Sequence, residues 1–109
     1  MAKQRVDQYE RAGRAWSILT ACARNRHSIT YGQLAERMGI HPIVCAFFLG
    51  LIQSHCLEYS LPPLQSLVIN KRTGLPGEGY RATPRGQHQI EKAHNRVFNY
   101  SWNKIANPF

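Results

Sequence analysis

The punctuation between Thr30 and Pro42 constrains this chain more than any other feature. Thr30-Tyr31-Gly32-Gln33 has the form of a capping box, in which hydroxyl and carboxamide satisfy each other's backbone donors at a helix start. Gly39 supplies a left-handed stop one short helix later, and Pro42 suits the first turn of the next. The expected helices are residues 31–38, with Leu34, Ala35 and Met38 inward, and residues 42–57, carrying Val44, Phe47, Phe48, Leu51 and Ile52. A longer helix precedes them over residues 9–24, where Tyr9, Ala12, Trp16, Leu19 and Ala23 recur at steps of three or four. Two helices joined by a tight Gly-containing turn make a helix-turn-helix pattern.

Beyond it, Pro62-Pro63 forces extended backbone. Residues 65–70 read as a strand, Lys71-Arg72-Thr73-Gly74 as a turn, and a return strand is expected near Gly79. Thr83-Pro84 opens a last helix over residues 84–102, with Ile90, Ala93, Val97 and Ser101 on its apolar face. The expectation is one α+β domain spanning residues 1–109: winged-helix-like, with three helices, a β-hairpin wing and a C-terminal helix.

Charge narrows the partners. Fourteen Lys and Arg against six Asp and Glu give a formal +8, and ten of the fourteen are Arg. Such an excess on 109 residues makes a polyanion the first partner to consider. Arg85, His88, Lys92 and Arg96 share one face of the last helix. They form either a solvated face or a ridge that follows phosphates. Lys71 and Arg72 sit at the wing tip, as phosphate contacts or as a polar turn, and Arg24 and Arg26 precede the second helix. The exposed start of the third helix offers His41, Ile43 and Ala46, without the Arg, Lys, Asn or Gln that read base edges. Phosphate contact with little base discrimination is therefore the expected mode.

Other chemistry is poorly supplied. Cys22, Cys45 and Cys56 lie in apolar patterns, and no spacing among them and the five histidines suits zinc, so they read as reduced core residues without a metal. Glu36, Glu58, Glu78 and Glu91 are far apart, and Asp7 and Glu10 lie among cations, so no enzyme and no cofactor are expected. The uncharged run over residues 38–57 is interrupted by His41, Pro42, Gln53, Ser54 and His55. Neither a membrane span nor an export signal is expected, and the chain reads as cytoplasmic.

Ile29-Thr30-Tyr31-Gly32-Gln33-Leu34-Ala35-Glu36-Arg37-Met38-Gly39, followed by Pro63-Leu64 and the Leu75-Pro76-Gly77 loop, resembles the alkylguanine-DNA alkyltransferases and their alkyltransferase-like relatives over residues 12–81. The resemblance implies a winged-helix DNA-binding domain, with Tyr31 in the place of the tyrosine that helps rotate a damaged nucleotide out of the duplex. Tyr31 also suits a packed helix-start aromatic. The family's Pro-Cys-His-Arg motif is absent: matching Pro63 to its proline puts Leu64 in the acceptor cysteine's place, which removes alkyl transfer. Matching Gly50 to the glycine of the family's Arg-Ala-Val-Gly segment puts Phe47 where the family inserts an arginine into the base stack. There it is either an aromatic wedge or a core or interface residue. The expected function is non-enzymatic DNA binding, with lesion recognition without repair as the resemblance's contribution. The competing expectation is a protein-interaction module, a homodimer built on the third helix.

Overall fold

A computed structural model describes residues 7–109. Helix α1 (Gln8–Arg24) is capped by Asp7, whose carboxylate accepts from the amides of Tyr9 and Glu10. It buries Ala12, Ala15, Trp16, Leu19, Cys22 and Ala23. Tyr9, expected on that face, lies one turn beyond the core and is 63% exposed. Strand β1 (Ile29–Thr30) leads into α2 (Tyr31–Met38), whose capping box is complete: Gln33 N–H donates to Thr30 Oγ1 at 3.1 Å, and Thr30 N–H to Gln33 Oε1 at 3.0 Å. Gly39 ends the helix at φ 70°, the left-handed conformation glycine adopts without a Cβ penalty.

Pro42 starts a 3-10 turn (Pro42–Val44) that runs into α3 (Cys45–Glu58). This helix buries Cys45, Phe48, Leu49, Ile52, Gln53 and Cys56, while Val44 and Leu51 are half-buried. Phe47 faces outward.

The next segment departs from the expected strand. Leu64–Leu67 is a 3-10 turn, and only Val68–Ile69 forms strand β2. In a turn of three residues Leu64 and Leu67 fall on the same side, so both reach the core, where both are fully buried. The expected hairpin wing is not formed. Strand β2 pairs in parallel with β1, Ile29 opposite Val68 and Thr30 opposite Ile69. Residues 70–75 instead close a loop through Gly74 N–H to Asn70 O and Asn70 N–H to Leu75 O, each 2.8 Å. Pro76 has no N–H to continue a ladder, and the Gly77 amide goes to Tyr31.

Helix α4 runs Gln87–Asn99, shorter than expected at both ends. Thr83 does not cap it, because its hydroxyl donates to Pro84 O and meets the Tyr80 hydroxyl at 2.9 Å. Extended Gly86 opens the helix instead. Ile90, Ala93 and Val97 point inward as expected. Ser101 lies past the helix end, and the 3-10 turn Trp102–Lys104 sends Trp102 inward in its stead. The Trp102 indole N–H finds Val97 O at 2.8 Å, and its ring meets Trp16 edge-on at 5.6 Å. The described residues thus form a compact, helix-rich domain of four α-helices around one core with a two-stranded parallel sheet. Among the described residues no single helix is long and apolar enough to cross a membrane.

Candidate functional site

The arrangement centres on Tyr31, the first residue of α2. Its ring leans across to the loop after Pro76, and Gly77 N–H donates to its hydroxyl at 2.8 Å. A Cβ at residue 77 would come within 2.7 Å of that oxygen, so only glycine lets the phenol approach the backbone so closely. Burial pushes the Tyr31 phenol up, while the Gly77 bond and the Arg85 guanidinium pull it down.

Between α2, the first half of α3 and this loop lies a pocket of about 270 Å³. Pro42, Ile43, Ala46, Leu49 and Pro76 give it apolar walls, Tyr31 and Tyr80 add aromatic faces, and Gln53 and Gln65 line its inner side. Gln53 is buried at 2% exposure on the core side of a largely apolar helix, and it clamps the loop. Its Nε2 donates to Gly79 O at 3.0 Å and its Oε1 accepts from Arg81 N–H at 2.8 Å. Gln65 Nε2 also reaches Gln53 Oε1, at 3.5 Å, which leaves Gln65 Oε1 buried without a partner. A roomier hollow of about 530 Å³ beside His27, Gln33, Glu36 and Arg37 is more open and has no comparable enclosure.

The residues singled out from sequence divide into three groups. Tyr31 lines the pocket, Arg85 and Arg96 do not, and Arg96 borders a separate hollow beside Cys56, Leu61 and Pro63; the two arginines are the least of the influences on the Tyr31 and Tyr80 phenols, Arg85 on Tyr31 and Arg96 on Tyr80. Burial is the main influence on Tyr80 and pushes its phenol up, with the Thr83 bond and then Arg96 opposing. Arg85 precedes α4 instead of riding on it, so the helical stripe reduces to His88, Lys92 and Arg96, all exposed. Arg24, Lys71 and Arg72 are exposed on other elements, and His41 caps the 3-10 turn through Nδ1, which accepts from Ile43 N–H at 3.2 Å.

Arg26 is engaged within the fold. Its Nη1 donates to Asn99 Oδ1 at 3.0 Å and Phe98 O at 3.4 Å, with the guanidinium 5.4 Å from the Phe98 ring centroid. Its side chain closes the end of α4, where carbonyls lack helical partners, while its left-handed backbone, φ 57°, ends α1, with Arg26 N–H donating to Ala23 O and His27 N–H to Cys22 O.

Leu64 does not line the pocket: it is fully buried in the core, and its neighbour Gln65 takes the lining position. Among the described residues no three of His, Cys, Asp and Glu converge on a common point. Gln53, Gln65, Glu78 and Tyr80 were not singled out from sequence. The available signal was a glutamine inside an apolar helix, which must find a buried partner.

Against family models, curated proteins and solved structures, the chain matches nothing. What it does must therefore be argued from the site.

Proposed function

We propose that this chain binds duplex DNA without acting on it enzymatically, holding the phosphate backbone with Arg and Lys and admitting one extruded base to the Tyr31 pocket. The observation that carries this reading is a small aromatic and apolar pocket with carboxamides on its inner side, on a chain with a formal charge of +8. Nucleobases are recognised by stacking on aromatic faces together with hydrogen bonds to their edges. Ile43 and Phe47 stand exposed at 76% and 64%, four residues apart, beside pocket-lining Ala46 and Gly50. We assign them the wedge that fills the space a base leaves. In this reading α1, α2 and α3 form a winged-helix-like unit whose wing is the closed loop of residues 70–75, and the protein works in the reducing cytoplasm, with its three buried thiols free.

Alkyl transfer has no support, because the pocket presents the Gln65 carboxamide where an acceptor would need a thiolate. Fluorescence anisotropy with a labelled duplex, titrated from low to high salt, tests the reading. Affinity falls steeply as salt rises, and a duplex carrying a base opposite an abasic site binds more tightly than its fully paired counterpart. Absence of duplex binding at low salt overturns it.

The exposed Ile43 and Phe47 also favour a second reading, self-association through α3. Sedimentation across a hundredfold range of concentration decides that, and a monomer throughout excludes it.

A further inference from the structure

Which base the pocket takes follows from the polar groups around it that the protein leaves unpaired, and this inference rests on the pocket being a base site. The loop on its outer side has its backbone engaged at Gly77, Tyr80 and Arg81 and at the Gly79 carbonyl. Gly77 N–H is bonded to Tyr31 and Gly77 O accepts from Tyr80 N–H, while Gly79 O and Arg81 N–H are both held by Gln53. The Tyr80 hydroxyl is paired with Thr83. Tyr31 Oη accepts from Gly77, but its own proton has no acceptor among the described residues. Two side-chain acceptors remain without a partner among the described residues. One is Gln65 Oε1, sealed on the inner side. The other is Glu78, which lines the pocket, is exposed, and has no ion-pair partner among the described residues, where the one ion pair joins Arg14 to Glu10.

A carboxylate beside a DNA-binding pocket is costly unless it meets a donor, because it repels phosphate. Its chemistry suits the N–H groups of an exocyclic amine and disfavours a carbonyl at the same place. Carboxylates accept from base amino groups in this way in groove readout. We propose that Glu78 is the specificity-determining residue of the pocket, selecting an amino-bearing nucleobase over one that lacks the amine. The surface around it fixes position through phosphates, and this one acid supplies the choice of base.

The test uses matched duplexes with one probe base opposite an abasic site: adenine against purine, guanine against hypoxanthine, and cytosine against 2-pyrimidinone. Each pair differs by one amino group. The measured quantity is the affinity ratio within a pair, because Glu78→Gln removes a negative charge and tightens every duplex alike. In the unaltered protein the amino-bearing member of at least one pair binds about tenfold more tightly, the scale of one good base contact. In Glu78→Gln the same pair falls within about twofold. Equal affinities within all three pairs overturn the proposal, and so does a preference that survives the substitution. No binding to any of the six duplexes instead overturns the DNA-binding reading itself. Glu78 is exposed and makes no side-chain hydrogen bond among the described residues, so the variant folds as the parent does.

Discussion

At the scale of single residues, the three cysteines show how burial alone sets chemistry. Cys22, Cys45 and Cys56 are free and almost wholly enclosed. Loss of water around the thiolate raises all three, and it pushes Cys56 up to about 11 against only a weak backbone contact. Such thiols are poor nucleophiles and inert core groups at neutral pH. The raised values also make stability depend on pH. Above about pH 9 an unfolded cysteine loses its proton while folded Cys56 keeps it, so the native state binds more protons and stability falls with rising pH. That contribution is complete below pH 9 and gone above pH 11, and Cys56 alone accounts for roughly 2–3 kcal/mol across the window. Urea denaturation under reducing conditions at pH 8, 9.5 and 11 measures it. Cys56→Ala flattens the decline while lowering the plateau; a decline of unchanged steepness in that variant refutes the assignment.

At the scale of elements, local punctuation was legible and long-range partnership was not. The Thr30–Gln33 box and Gly39 fix both ends of α2 through bonds within four residues, so sequence alone delimits it. Helix α3 is apolar on several sides, which hid that Phe47 would face out and that Gln53 would hold a loop far along the chain. The partner of β2 was equally hidden, since nothing local to Val68–Ile69 distinguishes a return strand from pairing with β1. Proline at 76 was the clue that no ladder could continue there. The candidate site was half legible for the same reason: Tyr31 stands out at a helix start, but Gly77 and the two glutamines acquire meaning only when α2, α3 and the loop meet.

The Tyr31–Gly77 contact can be tested as a pair. Tyr31→Phe leaves the Gly77 amide without its acceptor and costs about 1 kcal/mol. Gly77→Ala places a methyl 2.7 Å from the hydroxyl, which must leave, at a cost of roughly 1–3 kcal/mol. With the hydroxyl already gone the nearest atom is the ring carbon Cζ at 3.4 Å, so Gly77→Ala on the Tyr31→Phe background costs much less. Denaturation of the two single variants and the double variant therefore shows the double to be more stable than the sum predicts, by about 1 kcal/mol. Strict additivity would mean that the hydroxyl and the glycine do not share one contact.

At the scale of the whole molecule, fourteen cations do not make fourteen phosphate contacts, because the fold has already engaged at least two. Arg14 pairs with Glu10 at 2.7 Å and donates to Met38 O, and Arg26 is tied to the end of α4. Arg85 and Arg96 remain exposed and make no side-chain hydrogen bond or ion pair among the described residues, so in the DNA-binding reading both are free to meet phosphates. Each phosphate neutralised on duplex DNA contributes about 0.9 to the slope of log affinity against log salt concentration. Arg85→Ala and Arg96→Ala should therefore each lower that slope by about one and weaken binding across sequences alike. Arg26→Asn, chosen because asparagine tolerates the left-handed backbone there, removes the same formal charge. It leaves the slope unchanged and lowers thermal stability instead. The three variants are equal in net charge, so a slope that falls equally in all of them would show that binding responds to total charge and not to the exposed cations Arg85 and Arg96 in particular.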